Sequence, residues 1–234
     1  MENKSYLIFE GAKRLGISIS EDQVSKFLIY LKELNKWNAR INLTGIRDDQ
    51  GIIIRHFLDS IAGIAALTDV SPYPPPALGR VPSSVVPCRA IDVGTGAGFP
   101  GLPIKICRPQ IILTLLEPNK KKAAFLHSLC GTLDLNGIQI LAERLEWIAH
   151  QPSHQGTYDI LMVRALRLSR FLAQASRLLP RGGRVVIWAA RIGRDSLREL
   201  NAPPVWSQPQ VLSYRLPFEE IERRLILLKK VQQS

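Results

Sequence analysis

The sequence predicts an α/β protein, built on a mostly parallel seven-stranded sheet with a final antiparallel strand and preceded by a helical extension. Three observations lead there. From residue 88 onward, short apolar runs rich in Val, Ile and Leu alternate with helical stretches, the pattern of right-handed βαβ crossovers. The first of these runs passes directly into a turn with four glycines, "DVGTGAGFPG" at 92–101. The chain closes on two strand-like runs with no long helix after the last, as an antiparallel pair at one sheet edge requires.

The elements follow in order. Residues 4–15 carry Tyr6, Leu7, Phe9, Ala12 and Leu15 on a short helix. Ser20 with Gln23 forms a capping box, and Val24, Phe27, Leu28, Leu31, Leu34 and Trp37 recur behind it at helical spacing. A third helical stretch sets Ile54, Phe57, Leu58 and Ile61 on one side. Residues 1–68 therefore read as a helical extension, the proline-rich 69–87 as a loop, and 88–234 as the main domain. Within that domain the strands are expected at 90–93, 111–116, 138–142, 158–163, 184–188, 205–214 and 224–230. Helices are expected at 101–107, 120–133, 144–149 and 168–179.

Composition excludes some classes. No apolar run approaches the ~20 residues that cross a bilayer, and the charged N-terminus does not read as a signal peptide, so the expected location is cytoplasmic with no membrane partner. Cys88, Cys107 and Cys130 are widely separated and fit no metal spacing. Pro87-Cys88 precedes the first sheet strand, too early to act as a strand-four nucleophile. The net charge is +11, and residues 161–234 hold fourteen Lys and Arg against five Asp and Glu. Such an excess is either a solvated surface or the footprint of a polyanion.

Two ligands fit the glycine pattern. Gly96, Gly98 and Gly101 spell the dinucleotide fingerprint G-x-G-x-x-G, whereas Asp92 with Gly94, Gly96 and Gly98 spells D-x-G-x-G-x-G, the adenosyl-methionine loop. Pro100 and Pro103 remove two N–H donors where a pyrophosphate would need them. Adenosyl-methionine has cationic groups and no phosphate, so Asp92 beside the loop favours it. Phe99 either covers the ligand's apolar parts or packs in the core. Glu117, 21 residues after Gly96 at the end of the second strand, either accepts both ribose hydroxyls or caps the following helix. Leu145 and Glu146 lie after the third strand, where the adenine is met.

At the end of the fourth strand the polar group is Arg164. An arginine does not act as a base; it clamps an anion or holds a purine edge. A site without a base suits a nucleophile that brings its own lone pair, such as guanine N7.

The blocks "NKWNARINLTGIRD", "RHFLDSI", "IDVGTGAGFPGLPIKI", "LTLLEPNKKKAAFL" and "VRA", in that order, resemble the bacterial small-subunit ribosomal RNA guanine-N7 methyltransferases, the glucose-inhibited division protein B family, from about Gln23 to Lys230. The resemblance implies a class I, Rossmann-like methyltransferase using S-adenosyl-L-methionine, with 16S ribosomal RNA or the small ribosomal subunit as partner. It implies a guanine near the decoding site as target, no metal, and a monomer. Carried over residue by residue, Asp92, Gly94, Gly96, Gly98, Phe99, Glu117, Leu145, Glu146 and Arg164 bind cofactor. Arg164 and His56 serve the reaction, with Arg55, Asp59 and Ser60 in the same block as His56. His56 also fits a purely structural, hydrogen-bonded histidine. Family members commonly show Lys-Gly after the fifth strand; here the segment reads Trp188-Ala189-Ala190-Arg191, with Arg191 as the substitute. The other readings are an RNA-binding ribosome-assembly protein on the same fold without activity, a small-molecule methyltransferase, and a dehydrogenase.

Overall fold

A computed structural model describes residues 2–67, 88–164, 168–189, 204–219 and 221–231. The proline-rich 69–87, the loop that begins at Ala165 and Arg191 lie outside the described residues.

The extension opens with α1 (Glu2–Arg14) and α2 (Glu21–Asn38). The start of α2 is set by the expected capping box: Ser20 accepts from the Gln23 N–H, and the Gln23 side chain accepts from the Ser20 N–H. A helical run then passes through α3 (Asp49–Ile52), a π-helical turn (Ile53–Leu58), α4 (Asp59–Ala62) and α5 (Ile64–Leu67). This run corrects the reading of one apolar side. Of residues 51–60, all are buried except Arg55 and His56. It also corrects the expectation about apolar length. Asp49–Leu67, 19 residues, is long and apolar enough to cross a membrane, and 72% of that window is buried inside the protein.

The sheet holds β1 (Arg89–Val93), β2 (Ile112–Leu116), β3 (Ile138–Leu141), β4 (Ile160–Arg164), β5 (Arg184–Ala189), β6 (Gln210–Arg215) and β7 (Glu222–Lys229) in the order β3-β2-β1-β4-β5-β7-β6. Pairings among β1 to β5 are parallel, and β7 runs antiparallel to both β5 and β6. Between the strands lie α6 (Gly101–Cys107), α7 (Lys120–Thr132), α8 (Leu145–Ile148) and α9 (Leu168–Leu178). The sixth strand starts later than the alternation suggests, because Pro209 has no N–H to give a ladder; before it only Trp206 bridges to Lys230.

Each strand divides its side chains between two apolar layers. Ala90, Ile160, Met162, Val186, Trp188, Leu225 and Leu227 join the layer that also contains Ile8, Phe27, Leu34, Phe57 and Ile61 of the extension. Ile91, Val93, Leu161, Val163, Ile187 and Ile226 face the other layer, with Ile148, Leu172 and Leu178. Strand parity then decides where the polar tips point. Asp92, Arg164, Tyr214 and Arg223 share parity with the first layer, so all four turn toward the helical extension. Sheet order reverses between β1 and β4, and ligands of open α/β sheets sit at the carboxyl ends flanking such a switch.

Candidate active site

The turn after β1 lies at that switch. Gly94, Gly96 and Gly98 have φ of +69°, +60° and +99°, the left-handed region that side chains avoid. A Cβ on Gly94 would meet nothing within 4 Å, and one on Gly96 only the Gly94 carbonyl at 4.0 Å. Gly98 and Gly101 differ. A Cβ on Gly98 would lie 2.6 Å from both Leu102 Cδ1 and Tyr30 Oη, and one on Gly101 2.8 Å from Asp92 Oδ2. Two glycines therefore line open space and two allow close packing.

The loop's donors turn inward. The N–H groups of Gly94 and Thr95 go to the Leu116 carbonyl, those of Gly98 and Phe99 to the Thr95 carbonyl, and that of Gly96 to Glu117 Oε2. At the start of α6 the Gly101 N–H goes to Asp92 Oδ2, the Leu102 N–H to the Gly98 carbonyl, and Pro103 has none. A pyrophosphate needs those donors; a cationic ligand does not. Asp92 is fully buried, with Oδ2 held by Thr95 and Gly101 and Oδ1 without a hydrogen-bond partner. Burial pushes its carboxyl up to about 7 against the pull of those two hydrogen bonds. An orphaned carboxylate oxygen under a glycine cradle fits a methyl donor that carries positive charge.

Glu117 is 6% exposed, and both its oxygens face backbone: Oε2 accepts from the Gly96 N–H at 2.9 Å and Oε1 from the Asn119 N–H at 2.9 Å. The cap of α7 is Asn119, whose side chain accepts from Lys121 and Lys122, so Glu117 braces the glycine loop. Leu145 begins α8 and is half-buried, while Glu146 is exposed. Both follow β3, whose Leu141 carbonyl accepts the Glu117 N–H, beyond the same end of the sheet. Phe99 is 7% exposed and stacks between His56, at 4.5 Å, and Tyr30, at 5.5 Å, so its ring packs beneath the loop.

Arg164 ends β4. Its Nη2 donates to Asp59 Oδ2 and, at 2.7 Å, to the Arg55 carbonyl. That carbonyl is placed by the π turn: the Asp59 N–H bonds back to Ile54 and His56 instead of Arg55. Nη1 makes a long 3.4 Å contact with His56 Nδ1. Burial, reinforced by the Arg164 charge, holds His56 down to about 3, so the imidazole is neutral. With Nδ1 accepting from arginine, the proton is assigned to Nε2, which donates to Thr44 Oγ1 at 2.7 Å. Thr44 is fixed in turn by Asn38, whose Oδ1 accepts from the Leu43 and Thr44 N–H groups. The N-K-W-N…N-L-T and R-H-x-x-D-S blocks thus form one relay, Asn38–Thr44–His56–Arg164–Asp59.

Sequence reasoning assigned no role to Tyr30, Asn38, Thr44 or Tyr214. Tyr30 donates to the Ala97 carbonyl inside the glycine loop, and spacing of three from Phe27 is the signal that points to it. Tyr214 donates to Asp59 Oδ1 at 2.7 Å; period-two parity with Leu212 was its only trace. Among the described residues no group of three or more His, Cys, Asp or Glu is arranged to hold a metal ion.

The fold resembles a SAM-dependent O-methyltransferase from Thermotoga maritima (TM-score 0.53, 16% identity, 75% of this chain and 66% of that one). It also resembles TrmN from Thermus thermophilus (TM-score 0.52, 19% identity, 76% of this chain and 53% of that one). In sequence the chain is 34% identical to the ribosomal RNA small subunit methyltransferase G of Roseiflexus sp. (strain RS-1), over 96% of this chain and 91% of that protein. It is 32% identical to the protein of that name from Acetivibrio thermocellus, over 97% and 89%. Residues 23–226 match the family described as GidB, rRNA small subunit methyltransferase G. With the match spanning both the helical extension that carries His56 and the sheet that carries Arg164, the chain belongs to the rRNA small subunit methyltransferase G family.

Proposed function

We propose that this protein transfers a methyl group from S-adenosyl-L-methionine to N7 of a guanine in 16S ribosomal RNA near the decoding site. The observation that carries the reading is the setting of Arg164. Its neighbours are His56, whose ring nitrogens face Thr44 and Arg164, and Asp59, whose oxygens are bonded to Arg164 and Tyr214, so neither offers a free acceptor for a substrate proton. Guanine N7 needs none, because its lone pair forms the new N–C bond as the C–S bond breaks, with no proton to remove. The bound donor supplies an electrophilic methyl on a sulfonium. The chain's own residues supply position: Gly94 and Gly96 give clearance, Asp92 and Glu117 give negative charge and a brace, and Leu145 and Glu146 border the adenine. Arg164, oriented by His56, faces the base. Alignment of the two reactants is a large source of rate where no proton moves.

The basic excess of residues 161–234 supports an RNA partner. The working form is a cytoplasmic monomer that needs no metal. Mass mapping of 16S nucleosides from cells with and without the gene tests this reading. Loss of one 7-methylguanosine in the deletion strain, restored by the wild-type gene, is expected; identical nucleoside maps contradict it.

A further inference from the structure

Four strand tips meet at one residue, Asp59. Asp59 has a side chain 4% exposed. Its Oδ2 accepts from Arg164 at the end of β4, its Oδ1 accepts from Tyr214 of β6, and Arg223 Nε of β7 lies 3.8 Å from Oδ1. Its backbone carbonyl accepts from Trp188 Nε1 of β5 at 2.9 Å. Two of these groups come from the β6–β7 hairpin, whose turn is clamped to the extension at two points. Arg55 donates to Glu219 at 2.7 Å, and the Arg14 guanidinium lies 4.5 Å from the centre of the Phe218 ring.

Tyr214 decides how Asp59 holds Arg164. A carboxylate and a guanidinium prefer a forked, two-toothed pair. Here Tyr214 takes Oδ1, which leaves Oδ2 for Arg164, and Arg164 meets it with Nη2 alone while Nη1 turns to His56. Burial and the Asp59 charge raise the Tyr214 hydroxyl well above its ordinary range, so it remains a donor. Arg223 Nε is buried and makes no hydrogen bond, so Asp59 at present does not complete its pairing with Arg223 either. Removal of the Tyr214 hydroxyl frees Oδ1 for the fork with Arg164, which draws Nη1 away from His56 and so moves the guanidinium from its present pose.

We infer that Tyr214, acting through Asp59, is a positioning residue for Arg164, so that the C-terminal hairpin sets the pose in which the arginine meets the RNA base. The inference rests on the reading of Arg164 as substrate-facing. The test is Tyr214→Phe in the full chain, alone and combined with Arg164→Lys, whose ammonium cannot form the fork. Tyr214→Phe should lower turnover on small subunits lacking the modification by roughly 10- to 100-fold, the scale of a misplaced reacting group, with affinity for S-adenosylhomocysteine unchanged. In the Arg164→Lys background it should cause no further loss. Losses that multiply would show that Tyr214 acts independently of Arg164 and would overturn the inference. A second measurement does not depend on activity or on the folding of Tyr214→Phe. In nitrogen-edited spectra of the wild-type protein, with Arg164 assigned by Arg164→Lys, its Nη1 and Nη2 should give distinct signals from one-sided anchoring. A single averaged signal overturns the positioning. Absence of methyl transfer by the wild type would instead defeat the reaction reading, while the guanidinium signals still decide the positioning.

Discussion

Glu117 reaches from the tip of β2 to the N–H of Gly96, 21 residues earlier in the chain, at 2.9 Å. That bond joins the acid that would meet the ribose to the loop that would carry the rest of the donor. Glu117→Ala should weaken S-adenosylhomocysteine binding by about 1.5–3 kcal/mol, the range for hydrogen bonds to a charged group, as read by calorimetry. Unchanged affinity would reduce Glu117 to a local brace.

The glycines should separate into two phenotypes. Gly94→Ala adds a methyl to open space at a φ of +69°. Its stability should fall by about 1–2 kcal/mol from backbone strain alone, while donor affinity falls by more. Gly98→Ala drives a Cβ to 2.6 Å from Leu102 and Tyr30, so chemical denaturation should report the larger stability loss there. Equal stability losses in the two variants would contradict this division.

Arg164→Ala should abolish most methyl transfer and leave S-adenosylhomocysteine affinity within about threefold, because Nη2 is bonded to Asp59 and Arg55 rather than to the glycine loop. Stability should drop by about 1–3 kcal/mol, since Asp59 loses a charged donor while it keeps Tyr214. Equal loss of cofactor binding would move Arg164 from the base to the donor.

Two buried groups give opposite pH trends. Asp92 is held at about 7, above its ordinary 3.8, so its contribution to stability is complete below about 3.8 and is lost as pH rises through 7. A cationic ligand favours the ionised form, so S-adenosylmethionine, which carries the sulfonium charge, should bind more tightly from pH 6 to 8, with at most about tenfold per unit. Asp92→Asn should flatten that rise; an unchanged slope would assign it to another group. His56 is held at about 3, below its ordinary 6.5. Its contribution is complete above 6.5 and is lost as pH falls toward 3. Thermal melts should therefore show a smaller acid-side decline in His56→Gln than in the wild type, and parallel declines would mean that His56 is not buried as a neutral ring.

The fold was legible because its two periods are strong. Short apolar runs such as 90–93 and 184–188, each set between helical stretches, and the capped helix from Ser20 needed only local chemistry. The π turn at Ile53–Leu58 was not legible, because its residues are buried nearly all round and carry no single-sided period. Asp92 was legible as an acid beside the glycine loop, but not as a residue that also ties Thr95 and Gly101 together. The convergence on Asp59 depends on strand order. Arg164, Trp188, Tyr214 and Arg223 lie as many as 59 positions apart in sequence, and parity brings them together only once β7 is placed between β5 and β6.

The most direct measurement is paired calorimetric titration of the protein with S-adenosylhomocysteine and with NAD. One saturable site is expected for the former, weakened by Gly94→Ala, and no heat of binding for the latter, because the N–H groups of Gly94, Thr95, Gly96, Gly98, Phe99, Gly101 and Leu102 are already engaged internally. Saturable NAD binding, or a folded protein that takes up no S-adenosylhomocysteine, would contradict it.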